Sequence, residues 1–183
     1  MIKRVIGLLL HPTEEWDNIL IENKSNKKIF ISYTFWLFLF QIVCNLCNAF
    51  IYIKISNDNY IQTIIKSIIL PFAGIFYILF ASFIISSFAS IFNAEKNIKN
   101  SLTVILYSHT VVIYSSLLNL FHLKYIGYSS ILLLIYLRYF GVKVLLKSKR
   151  LPFIYGIIPE ILIIIISSLL IFFGKLLQTK FLP

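Results

Sequence analysis

The sequence predicts an all-α, polytopic membrane protein: a bundle of five transmembrane helices preceded by short amphipathic interfacial helices. The 183-residue chain is 59% hydrophobic and only 13% charged, which is more apolar surface than a soluble domain of this length could bury. The apolar residues form long stretches, and about 20 apolar residues in a helix cross the hydrocarbon layer of a bilayer. Because lipid cannot satisfy backbone polar groups, these stretches are expected to be helical.

Three parts follow one another along the chain. Residues 1–28 are expected to form a cytoplasmic amphipathic segment, and residues 175–183 a short extracytoplasmic tail. Residues 29–174 between them form the bundle, which leaves no room for a second folded domain. The five spans are predicted at 29–53, 67–92, 101–123, 125–146 and 151–174.

The N-terminal segment has the clearest amphipathic pattern. Its first apolar residues recur at the spacing of one helical face, with Lys3 and Arg4 between them. These residues are Ile2, Val5, Ile6, Leu9 and Leu10. Pro12 suits the first turn of a second helix, in which three apolar residues are expected on one side: Trp16, Ile19 and Leu20. We expect two short helices that either rest on the membrane at headgroup level or pack on other parts of the chain.

Polar and small side chains indicate which faces of the spans look inward. Span one carries three carboxamides that lipid would penalise: Gln41, Asn45 and Asn48. Span two has small residues that let helices approach closely: Ala81, Ser82, Ser86, Ser87, Ala89 and Ser90. A very tight connection at Lys124 predicts that spans three and four form an antiparallel hairpin.

The distribution of basic residues predicts the orientation. Eleven of the 17 lie in the N-terminal segment and in the second and fourth loops: Lys3, Arg4, Lys24, Lys27, Lys28, Lys96, Lys99, Lys143, Lys147, Lys149 and Arg150. Five lie in the alternate connections: Lys54, Lys66, Lys124, Lys175 and Lys180. The richer side is expected to be cytoplasmic, so the N-terminus lies inside and the C-terminus outside. The basic clusters suit anionic headgroups, and no nucleic acid is expected.

Three ionisable residues inside the spans form a candidate polar cluster: His109, Arg138 and Glu160. Arg138 and Glu160 are equally far from Lys149 along the chain, so an antiparallel hairpin places them at one depth. We predict that they pair, with His109 nearby. Ionisable groups in lipid mark functional sites by default, yet such a pair can also simply hold two helices in register.

Catalytic and metal-binding patterns are missing from the sequence. No glycine-rich phosphate loop, H-E-x-x-H or G-x-S-x-G occurs, and the acidic cluster belongs to a solvated or headgroup-facing surface: Glu14, Glu15, Asp17 and Glu22. The C-x-x-C of Cys44 and Cys47 lies in mid-span without a second pair, so burial in a helix interface is expected. We therefore expect no enzyme, no metal and no cofactor.

Several landmarks, in order, resemble a known family. They are Leu8-Leu9-Leu10-His11-Pro12 with Trp16, Phe92-Asn93-Ala94-Glu95, Tyr107-Ser108-His109-Thr110, Tyr136 with Gly141-Val142, and Pro152 with Tyr155. This pattern is similar to the bacterial form of the Yip family, the Ypt/Rab-interacting five-span membrane proteins. The chain departs from the family in having Asn93 and Ala94 where glycines are usual, and Val111 where a proline is usual.

The resemblance to the bacterial form implies a bacterial inner membrane and a cytosolic N-terminus. From eukaryotic relatives it implies an association with Rab-type GTPases and vesicle traffic. Our leading hypothesis is a non-enzymatic membrane protein that organises the bilayer, membrane-protein partners or a homo-oligomer. The alternative is a small transporter or channel with a polar intramembrane site. A continuous polar cavity from His109 to the cytoplasm would favour the alternative, and a dry bundle packed by Ser and Ala the leading hypothesis.

Overall fold

The computed structural model describes residues 2–55, 60–121 and 129–181, which are almost entirely helical and contain no strand. The helices are α1 Ile2–Leu10, α2 Pro12–Glu22, α3 Asn26–Ile29, α4 Phe35–Ile55, α5 Tyr60–Phe88, α6 Ile98–Ser108, α7 Val111–Leu120, α8 Ser129–Leu145 and α9 Pro152–Phe181. A π-helical turn at Phe30–Thr34 joins α3 to α4, and a 3-10 turn at Ala89–Phe92 follows α5. The predicted all-α class is confirmed.

Among the described helices, three stretches are long and apolar enough to cross a membrane: Asn26–Ile51, Ser67–Phe92 and Pro152–Leu169. They overlap predicted spans one, two and five. Predicted spans three and four correspond to shorter helices, since α6 has 11 residues, α7 has 10 and α8 has 17. The count of five spans stays a prediction, and the connection expected at Lys124 lies outside the described residues. The last helix, α9, continues to Phe181 and so includes most of the predicted tail.

Predicted span three is interrupted at His109 and Thr110, where α6 ends and α7 begins. The amide and the hydroxyl of Thr110 both donate to the carbonyl oxygen of Tyr107, at 3.1 and 2.5 Å. A threonine hydroxyl competes in this way with the helical hydrogen-bond ladder and can bend or end a helix. The backbone therefore turns beside His109, where the apolar pattern predicts one continuous helix.

The helices pack around α5 and α8. Contacts join α5 to α4, α6 and α9, and α8 to α2, α6 and α9. Small residues of α5 are buried in these contacts, with Ala81 fully buried and Ser82 2% exposed, whereas Ser87 and Ser90 are exposed. The inward face expected of span two is therefore present but narrower than the run of small residues suggested. Cys44 is buried as expected, but Cys47 is exposed.

Three basic connections meet at one end of the bundle. The amide of Arg150 donates to the carbonyl of Phe92 at 3.2 Å, and that of Glu95 donates to the carbonyl of Leu146 at 2.8 Å. The linker after α2 joins them, because Lys99 Nζ donates to Asn23 Oδ1 at 2.7 Å. The connections that the charge count assigned to one side of the membrane thus lie at the same end, which we call the basic end.

The helices α1 and α2 are folded against the bundle. On α2, Trp16 is fully buried and Ile19 is 4% exposed. Leu20 is 40% exposed, because α2 turns its Trp16–Ile19 edge toward the bundle. On α1 a stripe of isoleucine and leucine faces outward, 69%, 50% and 68% exposed respectively: Ile2, Ile6 and Leu10.

Candidate functional site: a polar cluster beside an intramembrane cavity

Arg138 of α8 and Glu160 of α9 lie together, as the equal spacing from Lys149 suggested. Arg138 Nη1 donates to Glu160 Oε1, and Arg138 Nη2 donates to the hydroxyl of Tyr77 on α5. The Tyr77 hydroxyl in turn donates to Glu160 Oε1. The Arg138 side chain is 1% exposed and that of Glu160 21%, so a buried cation is held by partners from two other helices.

Gly156 gives α9 close access to Arg138. A Cβ at this position would lie 3.2 Å from Arg138 Cβ and 3.5 Å from its carbonyl carbon. The Gly156 carbonyl also accepts a long hydrogen bond, 3.4 Å, from Arg138 Nη1. The absence of a side chain at Gly156 thus lets α9 pack closely against α8 beside the ion pair.

His109 lies near this cluster without a hydrogen bond to it among the described residues. Its ring is 8% exposed and packs at 4.8 Å, centroid to centroid, against Phe38. It lines the same cavity as Arg138. The three residues that the sequence singled out therefore surround one region of the bundle, but only Arg138 and Glu160 are in contact.

The cavity has a volume of about 400 Å³. Its walls come from α4, α5, α6, α7, α8 and the turn between α6 and α7, and combine carboxamides, hydroxyls and aliphatic groups: Gln41, Asn45, Tyr77, Ile105, Ser108, His109, Val111, Ser115, Ser116, Ser130, Leu134 and Arg138. Four buried polar atoms on these residues have no hydrogen-bond partner within the described part of the chain: Gln41 Oε1, Ser108 Oγ, His109 Nε2 and Arg138 Nε. Polar groups without partners are costly in a bundle interior.

Tyr77 is the member of the cluster that sequence reasoning missed. It lies in the middle of the apolar helix α5, where its ring counts as hydrophobic and its hydroxyl is easily overlooked. A buried tyrosine hydroxyl usually finds a polar partner. That requirement was the available signal, although the sequence could not name Arg138 and Glu160 as its partners.

A second cluster joins the N-terminal helices to the bundle through residues of the family-like pattern. The Trp16 indole meets the Tyr107 ring edge to face at 6.1 Å. A Cβ on Gly141 would lie 2.9 Å from Trp16 Cζ2 and 3.0 Å from Val104 Cγ1. Only a glycine therefore lets α8 approach the indole this closely.

The other family-like positions have structural surroundings of their own. Pro12 is buried in the first turn of α2, and Pro152 is the first residue of α9. Tyr155 is fully buried, stacks on Phe92 at 4.9 Å, and donates a hydrogen bond of 2.6 Å to the carbonyl of Ile85. Tyr136 is 42% exposed and Ser108 lines the cavity.

An ion-pair network ties α1 to α2. Arg4 pairs with Glu15 at 2.8 Å and Glu22 at 2.7 Å, and Lys24 also pairs with Glu22, at 2.8 Å. The pKa of the Glu22 carboxyl is lowered, first by the hydrogen bond from Lys24 and further by the one from Arg4, while partial burial opposes them. Glu15 and Glu22, two of the acidic residues expected on a solvated or headgroup-facing surface, are thus paired with Arg4, and the Glu22 side chain is 36% exposed.

The comparisons with known proteins decide the family. The family model described as the Yip1 domain matches residues 6–171. The chain belongs to the Yip1 domain family. Neither the curated proteins nor the solved structures provide a match. Family membership and the apolar helices together make this chain an integral membrane protein.

Two departures from the Yip family pattern fit the backbone geometry. Asn93 has φ 48° and ψ 43°, a left-handed conformation that glycine adopts most readily and asparagine next. At Val111, where the family usually has proline, α7 begins directly after the turn at His109 and Thr110. The helix break therefore forms here through the hydrogen bonds of Thr110.

Proposed function

We propose that this Yip-family chain is a non-enzymatic membrane protein that organises the bilayer, and through it partner proteins, at its basic end. The proposal rests on the outward stripe of α1. Ile2, Ile6 and Leu10 are separated by four residues each, so they share one helical face, and that face is more than half exposed on average. An apolar helical face at the edge of a membrane inserts among headgroups.

The attachment of α1 and α2 supports a role in shaping or sensing the bilayer. Trp16 is buried against Gly141 and Tyr107, and Arg4 joins the two helices through Glu15 and Glu22. An interfacial helix that is fixed to a rigid bundle cannot retract when lipid packing changes. The apolar stripe would then occupy area in one leaflet only, which favours curved membranes or membranes with packing defects.

Lysines at the basic end favour anionic lipids next to the apolar stripe of α1. Lys96, Lys147 and Lys149 lie in connections that meet there, and each is exposed. Cations next to a membrane surface attract anionic headgroups, with a contribution of about 1 kcal/mol for each lysine or arginine. We therefore propose that the basic end and the N-terminus face the cytoplasm, where anionic lipids are concentrated.

The transporter alternative is not favoured. It called for a polar cavity that continues from His109 to the cytoplasm. The cavity beside His109 is lined by residues of α4 to α8, and none of its described lining belongs to the connections of the basic end. The described residues therefore do not support a polar path from the cavity to the basic end, which a transporter would need.

Reconstitution into liposomes of mixed diameter tests the proposal. We expect fluorescently labelled wild-type protein to be denser, per membrane area, in small vesicles than in large ones when anionic lipid is present. Ile6→Asn should lose this preference because it places a carboxamide in the middle of the stripe. Ile91→Asn is the matched control, since Ile91 is exposed to a similar extent, 55% against 50%, but lies after α5.

Two results would count against the proposal. One is an equal density of wild-type protein in vesicles of every size. The other is a loss of preference that is the same for Ile6→Asn and Ile91→Asn, because it would show that any exposed isoleucine matters. Release of an entrapped solute by the purified protein would favour the transporter alternative.

A further inference from the structure

We propose that the intramembrane cavity binds a neutral amphiphile with a hydroxyl-bearing headgroup, of the kind found in acylglycerols. This inference goes beyond the organising role proposed above and does not depend on it. The site consists of the cavity of about 400 Å³ and its lining. Pockets for small molecules commonly have volumes of 300–1,000 Å³, with apolar walls and a few convergent polar groups.

The charges around the cavity favour an uncharged ligand. Arg138 is the one residue with a full charge in the described lining. Its charge is already balanced by Glu160, which receives hydrogen bonds from both Arg138 and Tyr77 at Oε1. An anion would have no unbalanced cation to pair with, and a cation would face the arginine. Either would lose its hydration without a compensating ion.

The unpaired polar atoms favour a hydroxyl over other neutral groups. Gln41 Oε1 can only accept a hydrogen bond, whereas Arg138 Nε can only donate one, and both lack partners in the described residues. A hydroxyl can do both, and two hydroxyls on one headgroup can satisfy both ends of the site. A carboxylate only accepts, so it would leave the Gln41 oxygen unpaired.

The aliphatic part of the lining is consistent with an attached chain. Ile105, Val111 and Leu134 line the cavity together with the polar groups. Leu134 lies one helical turn from Arg138 along α8, so apolar and polar wall adjoin on that helix. A headgroup with the first methylene groups of its chain would match this surface better than a fully polar solute.

Binding can be measured with monoolein as the probe and with the full-length protein in nanodiscs. Glycoside detergents are avoided because their sugar headgroups belong to the proposed ligand class. We expect monoolein to raise the thermal unfolding temperature saturably and oleate to do so much less. Glycerol tests whether the site takes a soluble polyol instead of an amphiphile. Weak glycerol binding supports an amphiphile, whereas glycerol binding as tight as that of monoolein would overturn the inference in favour of a soluble polyol.

Two variants on α4 and one on α7 locate the site. Asn45→Leu removes a lining carboxamide, and we expect it to weaken monoolein binding by about tenfold, the equivalent of one buried hydrogen bond. Asn48→Leu is the matched control: Asn48 is also half-buried on α4 but does not line the cavity. Ser115→Ala removes a single lining hydroxyl and provides a second test of monoolein binding if Asn45→Leu does not fold.

Three results would overturn the inference. They are an absence of saturable monoolein binding, tighter binding of oleate than of monoolein, and affinities in the folded Asn45→Leu and Ser115→Ala variants equal to that of Asn48→Leu. The first would mean that the cavity holds no such ligand, the second that the site selects anions, and the third that monoolein binds elsewhere.

Discussion

Gly141 lies directly against the indole of Trp16, so that a single methyl group on Gly141 would come within 2.9 Å of Trp16 Cζ2. This contact connects the N-terminal helices to α8. It also explains why a tryptophan and a glycine separated by 125 positions belong to one pattern in the sequence. The position of the amphipathic surface on the bundle depends on this approach.

Gly141→Ala should therefore loosen α2 from α8. Overpacking of this kind costs about 1–3 kcal/mol, and the Trp16 fluorescence should shift toward longer wavelength in a Trp36→Phe background. Gly7→Ala is the control, because the atoms nearest to a Cβ there belong to the flexible Glu15 side chain, whose Oε2 at 2.7 Å can move aside. Unchanged stability and emission in Gly141→Ala would contradict the contact.

Removal of one partner of the Arg138–Glu160 pair should destabilise the protein much more than removal of both. Arg138→Met leaves a carboxylate inside the bundle, with an expected cost of about 3–5 kcal/mol. Arg138→Met combined with Glu160→Met should cost clearly less than the two single changes added together. Unfolding in detergent measures this cycle, and strictly additive effects would show that the two groups do not interact.

An exposed ion pair provides the reference for that cycle. Lys147 and Glu95 pair at 2.6 Å with side chains that are 63% and 49% exposed. Exposed pairs contribute about 0–1 kcal/mol, so Lys147→Met should change stability by no more than this. A cost for Lys147→Met that approaches that of Arg138→Met would mean that burial is not the cause of the difference.

Acid should release α1 from α2. The pKa of Glu22 is lowered by its hydrogen bonds from Lys24 and Arg4, so the fold favours the charged carboxylate. This contribution to stability is complete above the unfolded value of about 4.3 and is lost as pH falls through the lower folded pKa. Emission from Trp16 in the Trp36→Phe background should report the change below about pH 4.

Glu22→Gln is the control for the acid transition. The variant has no carboxyl at this position, so its emission should change less over the same pH range. An equal change in both proteins would assign the transition to other acidic groups. A loss of the contact on raising the pH would contradict the sign of the argument.

The proposed orientation can be tested with single cysteines. Lys96→Cys at the basic end should be protected from an impermeant maleimide in intact cells and react after permeabilisation. Thr179→Cys near the C-terminus should react in intact cells. The unmodified chain, with Cys44 and Cys47 in mid-span, is the control for background labelling. Reaction of both new cysteines from the same side would contradict an odd number of spans.

Much of the fold could be predicted from the sequence because the membrane imposes few solutions on an apolar chain. Long apolar stretches must be helices, and Pro12 marks where α1 gives way to α2. Counting residues from Lys149 placed Arg138 and Glu160 at one depth. Such distances follow from the fixed rise of a helix, about 1.5 Å for each residue, and need no knowledge of neighbouring helices.

The tertiary structure alone decided how the helices are rotated and which partners meet. Helical spacing gives the depth of a side chain but not the neighbouring helix that it faces. The sequence therefore did not predict Tyr77 as a partner of the ion pair, nor that Leu20 is exposed while Trp16 and Ile19 are buried. The break at His109 depends on local hydrogen bonds, and the cavity next to it depends on five helices packing together. No pattern within a single helix predicts either feature.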